Sequence, residues 1–174
     1  VHLALDEGLN YFFCYGFDTQ MIKVLRELPA SHRQELVVAT GAYNWKWWHN
    51  DVRRTCEKRL RQLRMEAIDV FLFLGVLNRK QLTERAREDL LRLREEGKVR
   101  AIGISTHNRK LAGELADECE LDVLMIRYNA AHRGAEQDIF PHLESHGPGL
   151  VSYTATRWGR LLVRPRGWPR DGRV

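Results

Sequence analysis

The stretch KQLTERAREDLLRLREEGKVRAIGIST, residues 80–106, contains one complete helix-then-strand unit, and its reading decides the fold. Leu82, Ala86, Leu90 and Leu93 recur at intervals of four and three, a spacing that lines them along one face of a helix while arginines and glutamates take the other. Gly97 stands where such a helix would stop, and Lys98 leads into the apolar run of a strand.

The same alternation continues in both directions. Val52, Cys56, Leu60 and Leu63 share one face and predict a helix over 51–65. Helices also fit Asp18 to Leu28, Asn108 to Cys119 with Asn108 as N-cap, and Ala135 to Ser145, where Pro141 must bend or shorten the last. Strands are expected at Leu9 to Tyr15, Glu35 to Gly41, Ile68 to Leu74, Val99 to Ser105, Leu121 to Tyr128 and Leu150 to Thr154. Runs such as VFLFL and DVLMI are apolar without alternation, as parallel strands covered on both faces require.

Parallel strands joined by helical crossovers form either an open doubly wound sheet or a closed eight-fold barrel. No GxGxxG follows any strand, which weighs against the open nucleotide-binding form. A complete barrel takes about 250 residues. Six strands in 174 residues therefore suggest an incomplete (β/α)8 TIM barrel lacking its first and last units, and the opening VHLALDEG reads as the end of a helix. The strands at Leu9 and Leu150 would then be open edges, favouring self-association.

The composition is that of a globular chain, 44% hydrophobic and 29% charged. No apolar stretch approaches the roughly 20 residues that span a bilayer, and the N-terminal residues lack the pattern of a secretory signal, so a cytoplasmic location and no membrane partner are expected. Cys14, Cys56 and Cys119 are odd in number and far apart, which argues for reduced, buried thiols rather than disulfides or a metal site. The net charge of +5 is concentrated in Arg157, Arg160, Arg164, Arg166, Arg170 and Arg173. Residues 163–174 read as a basic tail following a barrel segment over 1–162. Such a tail is either a solvated end or a contact for phosphate or a partner. Nucleic-acid binding has only Trp158 and Trp168 to supply stacking, and is not expected.

DEGLNYFF, ELVVATG, RLRQLRMEAIDVFLFLG, LREEGKVRAIGIST, RYNAAHRGAEQDIFPHL and VSYTATRWGRLL resemble successive segments of the aldo/keto reductases, in order, up to about Leu162. The resemblance implies an (α/β)8 barrel that binds NADP(H) at the C-terminal ends of its strands and reduces small-molecule carbonyl substrates by hydride transfer. It further implies a tyrosine proton donor attended by lysine, histidine and aspartate. At the matching positions this chain has Phe13 for the aspartate, Gly41 for the lysine and Leu74 for the histidine, while Asp18 stands where the tyrosine usually comes.

Tyr15 is the nearest tyrosine, in a shortened loop. A phenol with a pKa near 10 donates poorly at neutral pH unless a cation lowers that value. Lys46, in the loop beyond Gly41, is either a solvated side chain or an inward-reaching one. His107 and His49 are the histidines expected near the site, and either side chain can donate a proton near neutrality. Tyr15 and His107 are therefore the candidate catalytic residues.

Cofactor positions survive better in the resemblance. Ser105 matches the serine that bonds the nicotinamide carboxamide, although Thr106 replaces the usual asparagine and Met125 the usual glutamine. Tyr153 matches the aromatic that stacks on the nicotinamide, and Thr154, Arg157 and Gly159 lie where a loop would approach the pyrophosphate. The family's adenosine 2'-phosphate site follows strand eight, outside this sequence. Trp45, Trp47 and Trp48 either line a pocket or pack over the barrel mouth. Two readings stay open: an NADP(H)-dependent oxidoreductase with a relocated proton donor, and a non-catalytic relative that binds a nucleotide or a protein.

Overall fold

A computed structural model describes residues 1–44, 51–118, 120–143, 147–164 and 166–167. The elements run α1 (His2–Asp6), β1 (Tyr11–Phe13), α2 (Thr19–Glu27), α3 (Ala30–Gln34), β2 (Val37–Tyr43), α4 (Val52–Leu63), β3 (Ile68–Leu74), α5 (Glu84–Glu95), β4 (Val99–Thr106), α6 (Arg109–Glu118), β5 (Val123–Arg127), α7 (Ala135–Asp138) and β6 (Gly149–Tyr153). The six strands form one parallel sheet in the order β1-β2-β3-β4-β5-β6, which is an incomplete (β/α)8 barrel. Among the described residues β1 pairs only with β2, and β6 only with β5.

Alternation along each strand sorts the side chains into two layers. Phe71, Phe73, Ile102, Ile104, Leu124 and Ile126 point outward and pack with Leu25, Cys56, Leu63, Leu90, Leu93 and Leu115 of the helices. Each fully buried leucine of this kind contributes about 1.5–3 kcal/mol. Ala39, Val70, Leu72, Leu74 and Met125 form the inner layer, flanked by Tyr11, Phe13, Tyr43 and Tyr153.

The unit that decided the fold behaves as read. Thr83 caps α5 by accepting from the Ala86 N–H, and Gly97 takes the left-handed conformation at φ +70. The Lys98 N–H then closes on the Leu93 carbonyl at 3.0 Å. Asn108 caps α6 through Oδ1, 3.2 Å from the Leu111 N–H.

Three expectations need correction. The first strand is limited to Tyr11–Phe13, because beyond Cys14 the chain turns through a bond from the Asp18 N–H to the Tyr15 carbonyl. β2 runs two residues past Gly41 to Tyr43, kept in register by the Tyr43–Leu74 pairing. The helix expected over Ala135 to Ser145 shrinks to α7 and a 3-10 turn, Phe140–His142, that contains Pro141; the pyrrolidine lacks the N–H a continuing helix needs. Cys14 and Cys56 are buried free thiols, whereas Cys119 lies outside the described residues. No helix among the described residues is long and apolar enough to cross a membrane.

Candidate active site at the C-terminal strand ends

A cavity of about 470 Å³ opens where the strands end, the face on which barrels of this kind carry their chemistry. Tyr15, Ser105, His107, Tyr153 and Thr154 all line it, so five of the seven candidate residues converge from three separate segments. Arg157 and Gly159 do not reach its wall and lie in the loop beyond Thr154. Phe13, Tyr43, Leu74 and Met125 complete an apolar side. Trp45, Lys46, Trp47, Trp48 and His49 lie outside the described residues, as do Trp168, Arg170 and Arg173.

A polar contact joins the ends of β4 and β6 at the cavity wall. The Tyr153 hydroxyl is 3.1 Å from the Thr106 carbonyl and 2.8 Å from His107 Nδ1, and the two rings meet edge to face at 5.2 Å. Burial pushes the Tyr153 phenol up to about 12, so it stays protonated at neutral pH. Ser105 accepts a hydrogen bond from the Gly75 N–H at 2.9 Å, which fixes its hydroxyl at the cavity wall with its own proton still to donate.

Tyr15 sits among aromatic rings. It stacks on Phe17 at 5.2 Å and on Tyr43 at 6.0 Å, and meets Phe13 edge-on at 4.9 Å. No lysine attends it among the described residues. The cation behind its loop is Arg59 of α4, buried, with a guanidinium so close to Gly16 that a Cβ there would lie 1.5 Å from Nη2. Burial lowers the Arg59 pKa, and the only hydrogen bond of its guanidinium among the described residues runs from Nη1 to Gln62 Oε1. Arg59 escaped the sequence reading, although its place on the buried stripe of 52, 55, 56, 59 and 63 was the available signal. Gly41 cannot host the family's lysine as the strands stand: a Cβ there would lie 2.1 Å from the Leu72 carbonyl oxygen.

The loop after β6 holds a strained backbone. Thr154, Arg157 and Trp158 all have positive φ, at 51, 51 and 53, followed by Gly159 at 79. Such conformations cost non-glycine residues about 1–3 kcal/mol each and persist where surrounding contacts impose them. One contact is Asn129, whose Nδ2 donates to the Thr154 carbonyl at 2.9 Å while its Oδ1 accepts from the Ala131 N–H. The Thr154 hydroxyl itself is buried and without a hydrogen-bond partner among the described residues. No cluster of His, Cys, Asp or Glu suited to a metal occurs among the described residues.

The chain is matched by the aldo/keto reductase family over residues 1–166. Among solved structures it is similar to the holo form of the aldo-keto reductase AKR11C1 from Bacillus halodurans, at 21% identity and a TM-score of 0.74 over 97% of this chain and 59% of that one. An aldo/keto reductase from Klebsiella pneumoniae, solved with NADP and acetate, is 25% identical with a TM-score of 0.73, over 91% and 57% of the two chains. The glycerol dehydrogenase AKR11B4 from Gluconobacter oxydans is 24% identical with a TM-score of 0.75, over 98% and 57%. The chain thus spans somewhat more than half the length of these relatives. Six strands in the order of an eight-fold barrel, a cavity at their C-terminal ends and a family match over residues 1–166 place this chain in the aldo/keto reductase family of oxidoreductases.

Proposed function

We propose that this chain carries the site of an NADP(H)-dependent reductase of small carbonyl compounds, in which His107, held by Tyr153, has taken over delivery of the proton. The observation that carries the reading is the 2.8 Å contact of the Tyr153 hydroxyl with His107 Nδ1 at the cavity wall. A nicotinamide cofactor is also what relatives solved with NADP or NADPH hold. The residues present fit it: the Thr154 hydroxyl is a buried group awaiting a partner, Ser105 can donate to a carboxamide, and Arg157 follows in the strained loop.

When bound, the cofactor supplies hydride; the protein must orient the carbonyl and supply a proton. The phenol of Tyr153 has one proton, and donating it to the Thr106 carbonyl leaves its oxygen to accept from His107 Nδ1–H. That arrangement keeps the imidazole's Nδ1 protonated and leaves Nε2–H of the imidazolium as the proton given to the carbonyl oxygen. Tyr15, backed by Arg59, is the second candidate donor.

A non-catalytic role as a nucleotide- or protein-binding relative is favoured by a different observation. Phe13 and Leu74 carry no proton to give at the positions of the family's aspartate and histidine, and burial raises the pKa of Tyr43 beside them. The deciding experiment adds NADPH to the protein, follows tryptophan fluorescence, and then follows NADPH oxidation with a panel of aldehydes and ketones. Quenching followed by slow turnover that depends on His107 supports the reductase. Quenching with no turnover favours the binding module, and no quenching defeats the cofactor assignment.

A further inference from the structure

The cavity has an electrostatic asymmetry that proton delivery does not use. Among the described residues none that lines it is an aspartate or glutamate. One side is apolar and aromatic, formed by Phe13, Tyr15, Tyr43, Leu74 and Leu77. Arg127, the last residue of β5, is not itself in the cavity wall but lies in register with Tyr153, which is.

The alternation that puts Val123 and Met125 on the inner face puts Arg127 there as well. Arg127 is half-buried, and its side chain has no hydrogen bond or ion pair among the described residues. Its charge is nevertheless felt at the Tyr153 phenol, where it opposes the effect of burial. Of the other half-buried arginines, Arg53, Arg87 and Arg94 are met by Glu96, Glu84 and Asp122, whereas Arg33 and Arg157, like Arg127, have no ion pair among the described residues; of these three only Arg127 stands on the inner face beside Tyr153. A guanidinium partly withdrawn from water without a counter-ion carries a desolvation cost that a bound anion offsets. Its planar fork matches a carboxylate with two parallel bonds.

We propose that Arg127 determines specificity by receiving the carboxylate of the carbonyl substrate, so that the preferred substrates are oxo acids whose remainder is apolar or aromatic. The word substrate rests on the reductase reading above; the anion recognition does not. A cofactor phosphate offers the same fork a similar anion, and the test separates the two.

Calorimetric titration of the protein with phenylglyoxylate and with its methyl ester, in the presence of NADP⁺, measures the carboxylate's contribution directly. NADPH affinity is read by fluorescence, and the same acid and ester are offered as substrates with NADPH. The acid is expected to bind about 10- to 100-fold more tightly than the ester, the range of a charge-assisted hydrogen bond. Arg127→Met should erase that ratio while leaving ester and NADPH affinities unchanged, and Arg127→Lys should retain part of it. An unchanged ratio in Arg127→Met overturns the proposal, as does equal binding of acid and ester by the parent protein. A loss of NADPH affinity without any change in the ratio also overturns it and assigns Arg127 to a cofactor phosphate. Tight, Arg127-dependent acid binding with no NADPH oxidation leaves the anion site standing and defeats the reductase reading alone.

Discussion

The Tyr153 hydroxyl, at the end of β6, stands 2.8 Å from Nδ1 of His107, just past the end of β4. Replacing His107 by glutamine should lower carbonyl-reduction kcat by about 10²–10⁴, the usual contribution of a general acid, with NADPH quenching unchanged. Tyr153→Phe keeps the ring for stacking and removes only the hydroxyl. It should retain NADPH quenching, lower kcat by about 10-fold and alter the pH profile of turnover, as expected of a positioning residue. Equal activity of the parent and both variants would remove this pair from the mechanism.

Restoring the family's lysine at position 41 should fail. Any side chain at Gly41 meets the Leu72 carbonyl oxygen at 2.1 Å from its Cβ and the Leu74 Cγ at 2.9 Å. Forcing atoms into a packed layer costs about 1–3 kcal/mol or more. Gly41→Ala and Gly41→Lys should both lower the urea midpoint, and Gly41→Lys should not raise the reduction rate. A lysine variant of parental stability would show that β2 and β3 separate more readily than their register indicates.

Asn129 is buried, and both ends of its amide hold backbone groups of two loops. Asn129→Ala leaves the Thr154 carbonyl without this partner, a loss of about 1–3 kcal/mol for a buried group. The strained loop after β6 should relax, so NADPH affinity is expected to fall together with stability. Loss of stability with full NADPH affinity would separate that loop from cofactor binding.

Glu96 is held at about 2, below its ordinary value of 4.5, by hydrogen bonds from Arg53 and Lys98. A carboxylate whose folded value is depressed contributes stability that is present above about pH 4.5 and is lost as pH falls through about 2. Glu96→Gln should therefore lower Tm at pH 7, by no more than about 3 °C for so exposed a network. At pH 2 the parent and variant should converge. A Tm difference that persists undiminished in acid would count against the ion pairs.

β1 and β6 are the two edges of the parallel sheet among the described residues. Unpaired edges of this kind recruit further strands. The 174-residue chain should self-associate in a concentration-dependent way, measurable by light scattering. A monodisperse monomer over the full concentration range would argue that the edges are covered.

What the sequence determined by itself was the order of layers. Apolar runs such as VFLFL, helical stripes such as Leu82, Ala86, Leu90 and Leu93, and the stop at Gly97 are local signals, because hydrophobic period and terminal glycine act over a few residues. They sufficed for six parallel strands and for four of the helices. Five residues that line the cavity were also singled out from the sequence, Ser105, Tyr153 and Thr154 by resemblance to a known pattern and Tyr15 and His107 as nearby proton donors. The tertiary structure decided what those residues do to one another. His107 and Tyr153 are 46 positions apart and meet only because β4, β5 and β6 lie side by side in a fixed register. The same register shows Arg127 on the inner face beside Tyr153, brings Tyr43 level with Leu74, and leaves no room for a side chain at Gly41. Burial of Arg59 against Gly16 likewise depends on how α4 packs over the loop after β1, a long-range contact that no local period encodes.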